Sequence, residues 1–291
     1  MPLLTVVHKT TYRYANPVTF GEHRMMMRPR DSHDLRLVKT ALLLRPAGKI
    51  RWIHDVFSNS VAIARFQAPS NELHVASTFQ AEHFPLSEGA VEIEEYARRF
   101  PFSYDASEAP DTDRAAERHY PDPQHRVDLW ARRFVEETPQ HETLGILSRM
   151  TRAIKAEFTY NPRDEMGTQD PVTTLLTARG TCRDYALLMM EAARSLGFAA
   201  RFVSGYLYDD SKIKGGPETL IGGGVTHAWT QIYLPGAGWV PFDPTNGLIS
   251  DRNLIRVAVT RDPSQAVPLK GSYIGKPTDF LGMDVSVEIR A

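Results

Sequence analysis

The apolar residues of this chain repeat every second position up to about residue 84 and at helical spacing after about residue 125, so neither one sheet nor one bundle can hold the whole sequence. In "LLTVVHKTTYRY" one face collects Leu4, Val6, His8, Thr10, Tyr12 and Tyr14 at period two. "LRLVKTALLL", "SVAIARF" and "ELHVASTFQAEHF" alternate in the same way, separated by turn material such as "RPAGK" and "FSNS". Short strands at this spacing predict an antiparallel sandwich or partial barrel. "MMMRPRD", residues 25–31, reads as a strand end whose methionines fill gaps in a core; an interaction surface is the other reading. No internal repeat is present.

The next stretch, "PFSYDASEAPDTDRAAERHYPDPQHR", carries four prolines among alternating charges and reads as a connector. Helical spacing follows in "VDLWARRFVEE" and in "TLGILSRMTRAIKAEF", where Leu144, Leu147, Met150, Ile154 and Phe158 share a face. "TYNP" ends the second helix, because the residue before Pro162 is pushed out of the helical region. Strand-like "ARFVSGYLY", "VTHAWTQIYL" and "GWVPFDP" come later, and "DVSVEIR" closes the chain as another alternating strand. The expected fold is α+β, with a β-rich N-terminal domain over 1–95, a connector over 96–125 and a second domain over 126–291 that includes the C-terminal strand.

Composition narrows function by exclusion. A net charge of −1 gives no electrostatic reason to expect nucleic acid or an anionic membrane as partner. No apolar run approaches the roughly 18 to 20 residues of a membrane helix. The N-terminus alternates like a strand and lacks a basic leader with a small-residue cleavage site. With 42% hydrophobic and 24% charged residues, the expectation is a soluble, cytoplasmic protein. One cysteine excludes an internal disulfide.

That cysteine, Cys182, lies in "ARGTCRDYALLMMEAARSLGF", where an amphipathic helix begins. Thr181 can cap the helix and Asp184 can complete a capping box. The sulfur then sits at the positive end of the helix dipole, where thiolate is favoured over thiol. The backbone N–H of Cys182 is a natural oxyanion donor, and Gly180 leaves room for a substrate backbone. The helix is expected to bury Ala186, Leu187, Met190, Ala193 and Leu196, with Gly197 as its left-handed cap. Taken alone, such a cysteine is more often an inert core residue.

A cysteine nucleophile needs a base, and the base needs an orienting group. In "VTHAWTQIYL" the residues Val225, His227, Trp229, Gln231 and Tyr233 share one strand face; in "GWVPFDPT" so do Trp239, Pro241 and Asp243. A four-residue loop between these strands would put His227 and Asp243 on opposite faces. An odd-length connection running from Leu234 to Gly238 sets Trp229 opposite Asp243, leaving His227 on the diagonal about 7 to 8 Å away. A shared site therefore requires that parity or a bulge.

"GTCRDYALLMMEAARSLGFAARFVSGYL" followed by "THAWTQIYLPGAGWVPFDPT" resembles the core of the bacterial transglutaminase-like proteins, a family described as cysteine proteases. The resemblance covers about residues 140–250, and the first 85 or so residues resemble the β-rich N-terminal region that accompanies this core. It implies a papain-like arrangement with a catalytic helix packed on an antiparallel sheet. Cys182 matches the nucleophile, His227 the general base and Asp243 the residue orienting the imidazole. Gln169 is the candidate for a side-chain oxyanion donor, by analogy with papain-like glutamines. Animal relatives are calcium-activated, but no D-x-D-x-D-G loop occurs here, and neither metal nor cofactor is expected.

The implied chemistry is acyl transfer on a peptide or protein amide through a thioester. With water as acceptor the chain is a protease, amidase or deamidase; with an amine co-substrate it crosslinks. Hydrolysis is favoured, because nothing specifies an amine site or excludes water. Trp229 and Trp239 are candidate walls of the substrate site, though strand tryptophans are more often core. "GGPETLIGGG", residues 215–224, reads equally as a lid or a plain loop. Less favoured are a coenzyme-dependent acetyltransferase, a zinc site on the same residues, and a peptide- or wall-binding module on an idle core. Oligomeric state is not legible.

Overall fold

The computed structural model describes residues 3–85, 91–163, 167–209, 211, 215–217, 219–249 and 252–291. The alternating first part forms β1 (Leu3–Phe20), β2 (His23–Met25), β3 (Leu35–Arg45), β4 (Gly48–His54), β5 (Ser60–Phe66) and β6 (Ser70–His83). Helices follow: α1 (Ala109–Ala116), α2 (Arg126–Glu137) and α3 (Thr143–Glu157). Beyond them come β7 (Thr159–Tyr160), α4 (Pro171–Thr177), β8 (Arg179–Gly180) and α5 (Cys182–Ser195). The chain then runs through β9 (Ala200–Leu207), β10 (Thr226–Leu234), β11 (Gly238–Phe242) and β12 (Leu254–Thr260). It ends in β13 (Leu269–Lys270), β14 (Tyr273–Ile274) and β15 (Phe280–Arg290).

Two antiparallel sheets make an N-terminal sandwich. In one, β1 lies between β6 and the pair β15 and β14, and β3 forms the far edge. The other runs β13–β2–β5–β4. Their apolar faces meet over Tyr14, Phe20, Met25, Met27, Leu73 and Val75. Met25, Met26 and Met27 are all buried, so this stretch fills core rather than facing solvent. The terminal strand departs from the expected domain boundary: β15 pairs along β1 from Thr5↔Arg290 to Tyr14↔Phe280. Its alternation gives a strand but carries no information about partner, and β1 has an open edge that satisfies ten or so backbone groups.

The connector is not a loose linker. Ala97 is buried in the same core as Cys182, and Tyr104 Oη donates to the Tyr233 carbonyl and accepts from the Ala199 N–H. Its end is clamped by the buried pair Glu191–Arg194. Arg194 Nη1 donates to Glu191 at 2.9 Å and Nε donates to the Ala115 carbonyl, while Glu191 accepts from the N–H groups of His119 and Tyr120. Prolines prevent a long helix here, yet the segment keeps enough apolar and polar anchors to be ordered.

The second sheet system, β11–β10–β9–β12, carries α5 on one face. Thr230 Oγ1 donates to the Ala186 carbonyl at 2.7 Å, so helix and sheet are joined by a buried hydrogen bond as well as by packing. The helix is buried on every side and not amphipathic: Leu188, Met189 and Ala192 are as hidden as Leu187 and Met190. The reason is its central place, with the sheet on one side and α2, α3 and α4 around the rest. Its C-terminus closes as expected, with Gly197 at φ +89° and the Phe198 N–H on the Ala193 carbonyl. Among the described residues no helix is long and apolar enough to cross a membrane.

Candidate active site

Helix α5 starts where Asp184 gathers four donors. Its Oδ2 accepts the N–H and hydroxyl of Thr181 at 2.8 and 2.9 Å, and its Oδ1 accepts the Gln169 N–H at 2.6 Å and Arg163 Nη2 at 2.5 Å. Thr181 and Asp184 thus make the capping contact that the sequence predicts, with Arg163 neutralising a fully buried carboxylate. Cys182 follows as the first helical residue, its sulfur buried.

The β10–β11 hairpin pairs Leu234↔Gly238 and Thr230↔Phe242, the odd-length register. Continued by one residue it sets Trp229 opposite Asp243, with His227 on the diagonal. His227 Nε2 donates to Asp243 Oδ2 at 2.9 Å, both side chains wholly buried. Asp243 is itself held by the N–H groups of Thr245 and Asn246 and by Asn246 Nδ2 at 2.8 Å. His227 Nδ1 makes no protein hydrogen bond, so the Asp243 contact uses only one of the two ring nitrogens. The Cys182 sulfur meets the imidazole and the Ala228 N–H.

Charge follows from these contacts. Burial alone would raise the Cys182 thiol, but His227 and the Ala228 N–H outweigh it and hold the thiol below its ordinary value. Burial alone would lower His227, but the Asp243 carboxylate and the sulfur push it up to about 10. Asp243, penalised by burial, is nevertheless lowered by His227 and Asn246. The three shifts favour one state, a thiolate beside an imidazolium that rests on a carboxylate.

Gln169 is not part of this group. Its Nε2 donates to Thr174 Oγ1 and to the Arg179 carbonyl, so it braces α4 against β8 instead of facing the sulfur. Tyr160 occupies the position that Gln169 was expected to fill. β7 pairs in parallel with β8, Tyr160 opposite Gly180, and the Tyr160 hydroxyl lies against both the Cys182 sulfur and the Cys182 N–H. Burial, then the Cys182 charge, raise the phenol and keep its proton on. Spacing could not reveal this residue: a two-residue strand has no period, and "TYNP" reads first as a helix stop. Gly180 likewise serves packing, since a Cβ there would lie 2.9 Å from Asp184 Cβ.

The tryptophans are not substrate walls. Trp229 is 1% exposed and its ring stacks on the His227 imidazole at 6.1 Å, which fixes the imidazole plane from behind. Trp239 shares the strand face but lies opposite Tyr233, at the far end of the hairpin, with the Arg201 guanidinium 4.1 Å over its ring.

Apart from residue 218, which lies outside the described residues, the loop 215–224 is a cover tied down at several points. Asp209 accepts the N–H groups of Thr219 and Leu220, Asn246 bridges Ile221 to Asp243, and the Val287 N–H of β15 donates to the Gly224 carbonyl. Gly222, at φ +104°, lies so close that a Cβ there would come within 2.7 Å of His227 Nδ1. Gly222→Ala is therefore expected to displace the imidazole or lift the loop. Alkylation of Cys182 below neutral pH should slow by about tenfold or more, and strain of about 1–3 kcal/mol should lower the thermal midpoint by roughly 2 to 12 °C. An unchanged alkylation profile would show that the loop does not press on the site.

Comparison with known proteins agrees with this fold. Residues 130–244 match the transglutaminase-like superfamily, and residues 4–82 match the bacterial transglutaminase-like N-terminal region. The chain thus combines a transglutaminase-like core with the N-terminal region of bacterial transglutaminase-like proteins. Proteins of Mycobacterium leprae and Mycobacterium tuberculosis, both named only as uncharacterized, are each 28% identical over 98% of this chain, covering 98% and 91% of their own lengths. A crystal structure from Cytophaga hutchinsonii named "Putative Cysteine Protease" has the same fold, with a TM-score of 0.67 at 16% identity over 99% of this chain and 90% of that one. The matched core runs from within α2 through Cys182 and His227 to Asp243, and the matched N-terminal region covers nearly all of β1 to β6 of the sandwich but not β13, β14 and β15.

Proposed function

We propose that this transglutaminase-like protein is a cysteine-dependent amide hydrolase acting on peptides or proteins. The observation that carries the reading is the Nε2–Oδ2 contact of 2.9 Å between His227 and Asp243, with the same imidazole meeting the Cys182 sulfur at the start of α5. The Cys182 thiolate attacks the amide carbonyl carbon, and the carbonyl electron pair moves onto oxygen. The Cys182 N–H and the Tyr160 hydroxyl receive that oxyanion. The tetrahedral species collapses as the C–N bond breaks, and the His227 imidazolium gives its proton to the leaving amine. Water then adds to the thioester carbonyl, the now neutral His227 taking its proton, and the thiolate leaves as the carboxylic acid forms.

An amine in place of water would make the protein a protein-glutamine amine transferase, and the residues of the first half-reaction would be the same. Hydrolysis is preferred because nothing in the sequence specifies an amine site or guards the thioester against water. The test is mass spectrometry of a glutamine-rich peptide library incubated with the protein and a primary amine, beside Cys182→Ala. Cleaved or deamidated peptides absent from the Cys182→Ala sample are the expected products. Amine adducts on glutamine would replace hydrolysis by transfer, and no Cys182-dependent product would leave a binding module.

A further inference from the structure

The sandwich opens between the two sheet edges formed by β3 and β4, each of which pairs on one side only. A cavity of about 370 Å³ lies there, walled by Thr40 and Leu42 from β3 and by Ile50 and Trp52 from β4, with Phe79 and Arg28 at its floor. Trp52 is 47% exposed and the Arg28 guanidinium sits 5.6 Å over its ring. Arg28 Nε is buried without a hydrogen-bond partner, and Arg28 makes no ion pair with a described residue.

Charge on these edges is one-sided. Residues 35–54 hold Arg36, Lys39, Arg45, Lys49 and Arg51 and no carboxylate, in a chain whose net charge is −1. Of the five, only Arg36 has an ion-pair partner among the described residues, Glu82 at 3.3 Å. A second copy is a poor occupant, because edge-to-edge pairing would set these cations against themselves.

We propose that this groove docks an extended, acidic segment of a polypeptide, which adds to β4 as a further strand. The free edge of β4 supplies backbone donors and acceptors. Because side chains alternate along a strand, Ile50 and Trp52 face the groove while Lys49 and Arg51 face away. The fitting segment therefore alternates too, with apolar residues against Ile50 and Trp52 and glutamates or aspartates opposite Lys49 and Arg51. The docking needs no chemistry at Cys182 and stands or falls separately from it.

The experiment measures tryptophan fluorescence and calorimetric binding on the full chain carrying Cys182→Ala. The probe is a synthetic peptide of about ten residues alternating glutamate with valine or leucine, long enough to run the length of β4. Saturable binding that weakens with salt is expected, together with loss of the fluorescence change in Trp52→Phe. Affinity should fall by about tenfold or more in Lys49→Glu/Arg51→Glu. Both side chains are exposed, so folding of this variant is not at issue. Absence of binding, equal binding of the lysine counterpart, or affinity untouched by the charge reversals would overturn the proposal. So would an oligonucleotide of the same charge or phosphatidylglycerol vesicles binding as tightly as the acidic peptide.

Discussion

His227→Ala is expected to lower turnover of a peptide amide by the proposed hydrolase on the order of 10⁴- to 10⁶-fold, the loss that follows when one member of a proton-transfer unit is removed. Two roles vanish together. Without the imidazolium the Cys182 thiol returns toward its ordinary value, so little nucleophile exists at neutral pH, and the leaving amine has no proton donor. The fold should survive the change. Asp243 keeps three donors, the N–H groups of Thr245 and Asn246 at 3.0 and 3.4 Å and Asn246 Nδ2 at 2.8 Å, so no buried carboxylate is orphaned. The cavity left over Trp229 costs about 1–3 kcal/mol, within the 5–15 kcal/mol of a typical domain. Steady-state kinetics beside thermal melting check this; a fall of less than about tenfold would mean that His227 is not the proton carrier.

Asp184→Ala acts on stability instead. It removes the acceptor of the Thr181, Gln169 and Arg163 donors and leaves the Arg163 guanidinium without its buried partner. Breaking a buried ion pair from one side costs about 3–5 kcal/mol. For a chain of this size that lowers the thermal midpoint by roughly 6 to 20 °C. Asp184→Asn keeps one acceptor oxygen and should lose about half as much. Activity should fall in parallel, because the same carboxylate holds the first turn that carries Cys182. A midpoint within about 2 °C of the parent would show that other contacts hold the helix start.

What could be read from the sequence, and what could not, divides along physical lines. The β10–β11 register was accessible because strand parity is arithmetic: without a bulge, an odd connection is needed to put His227 and Asp243 within reach. The cap at Thr181 and the stop at Gly197 are local, so three or four residues suffice to see them. Gln169 and Tyr160 lay beyond that reach, because which side chain turns to the sulfur depends on a two-residue parallel pairing with no pattern of its own. Trp239 had the right face and the wrong height. β15 was legible as a strand but not as a neighbour of β1, since a pairing across nearly the whole chain leaves no trace in either segment. The amphipathic reading of α5 failed for a related reason: its polar residues, Asp184, Glu191 and Arg194, are buried by partners elsewhere in the chain.

The central claim is that Cys182 is held as a thiolate by His227. The most direct measurement is the rate of Cys182 alkylation by iodoacetamide across pH, in the parent protein and in His227→Ala. With the thiol lowered and the imidazole raised to about 10, the pair persists between the two values. Alkylation should stay fast as pH falls below neutral and decline only beneath the lowered thiol value. A change in reactivity near pH 10 should mark loss of the imidazolium proton. In His227→Ala both features should disappear, leaving a single rise in the ordinary thiol range. A parent profile with that same single rise, unaltered by His227→Ala, would contradict the account.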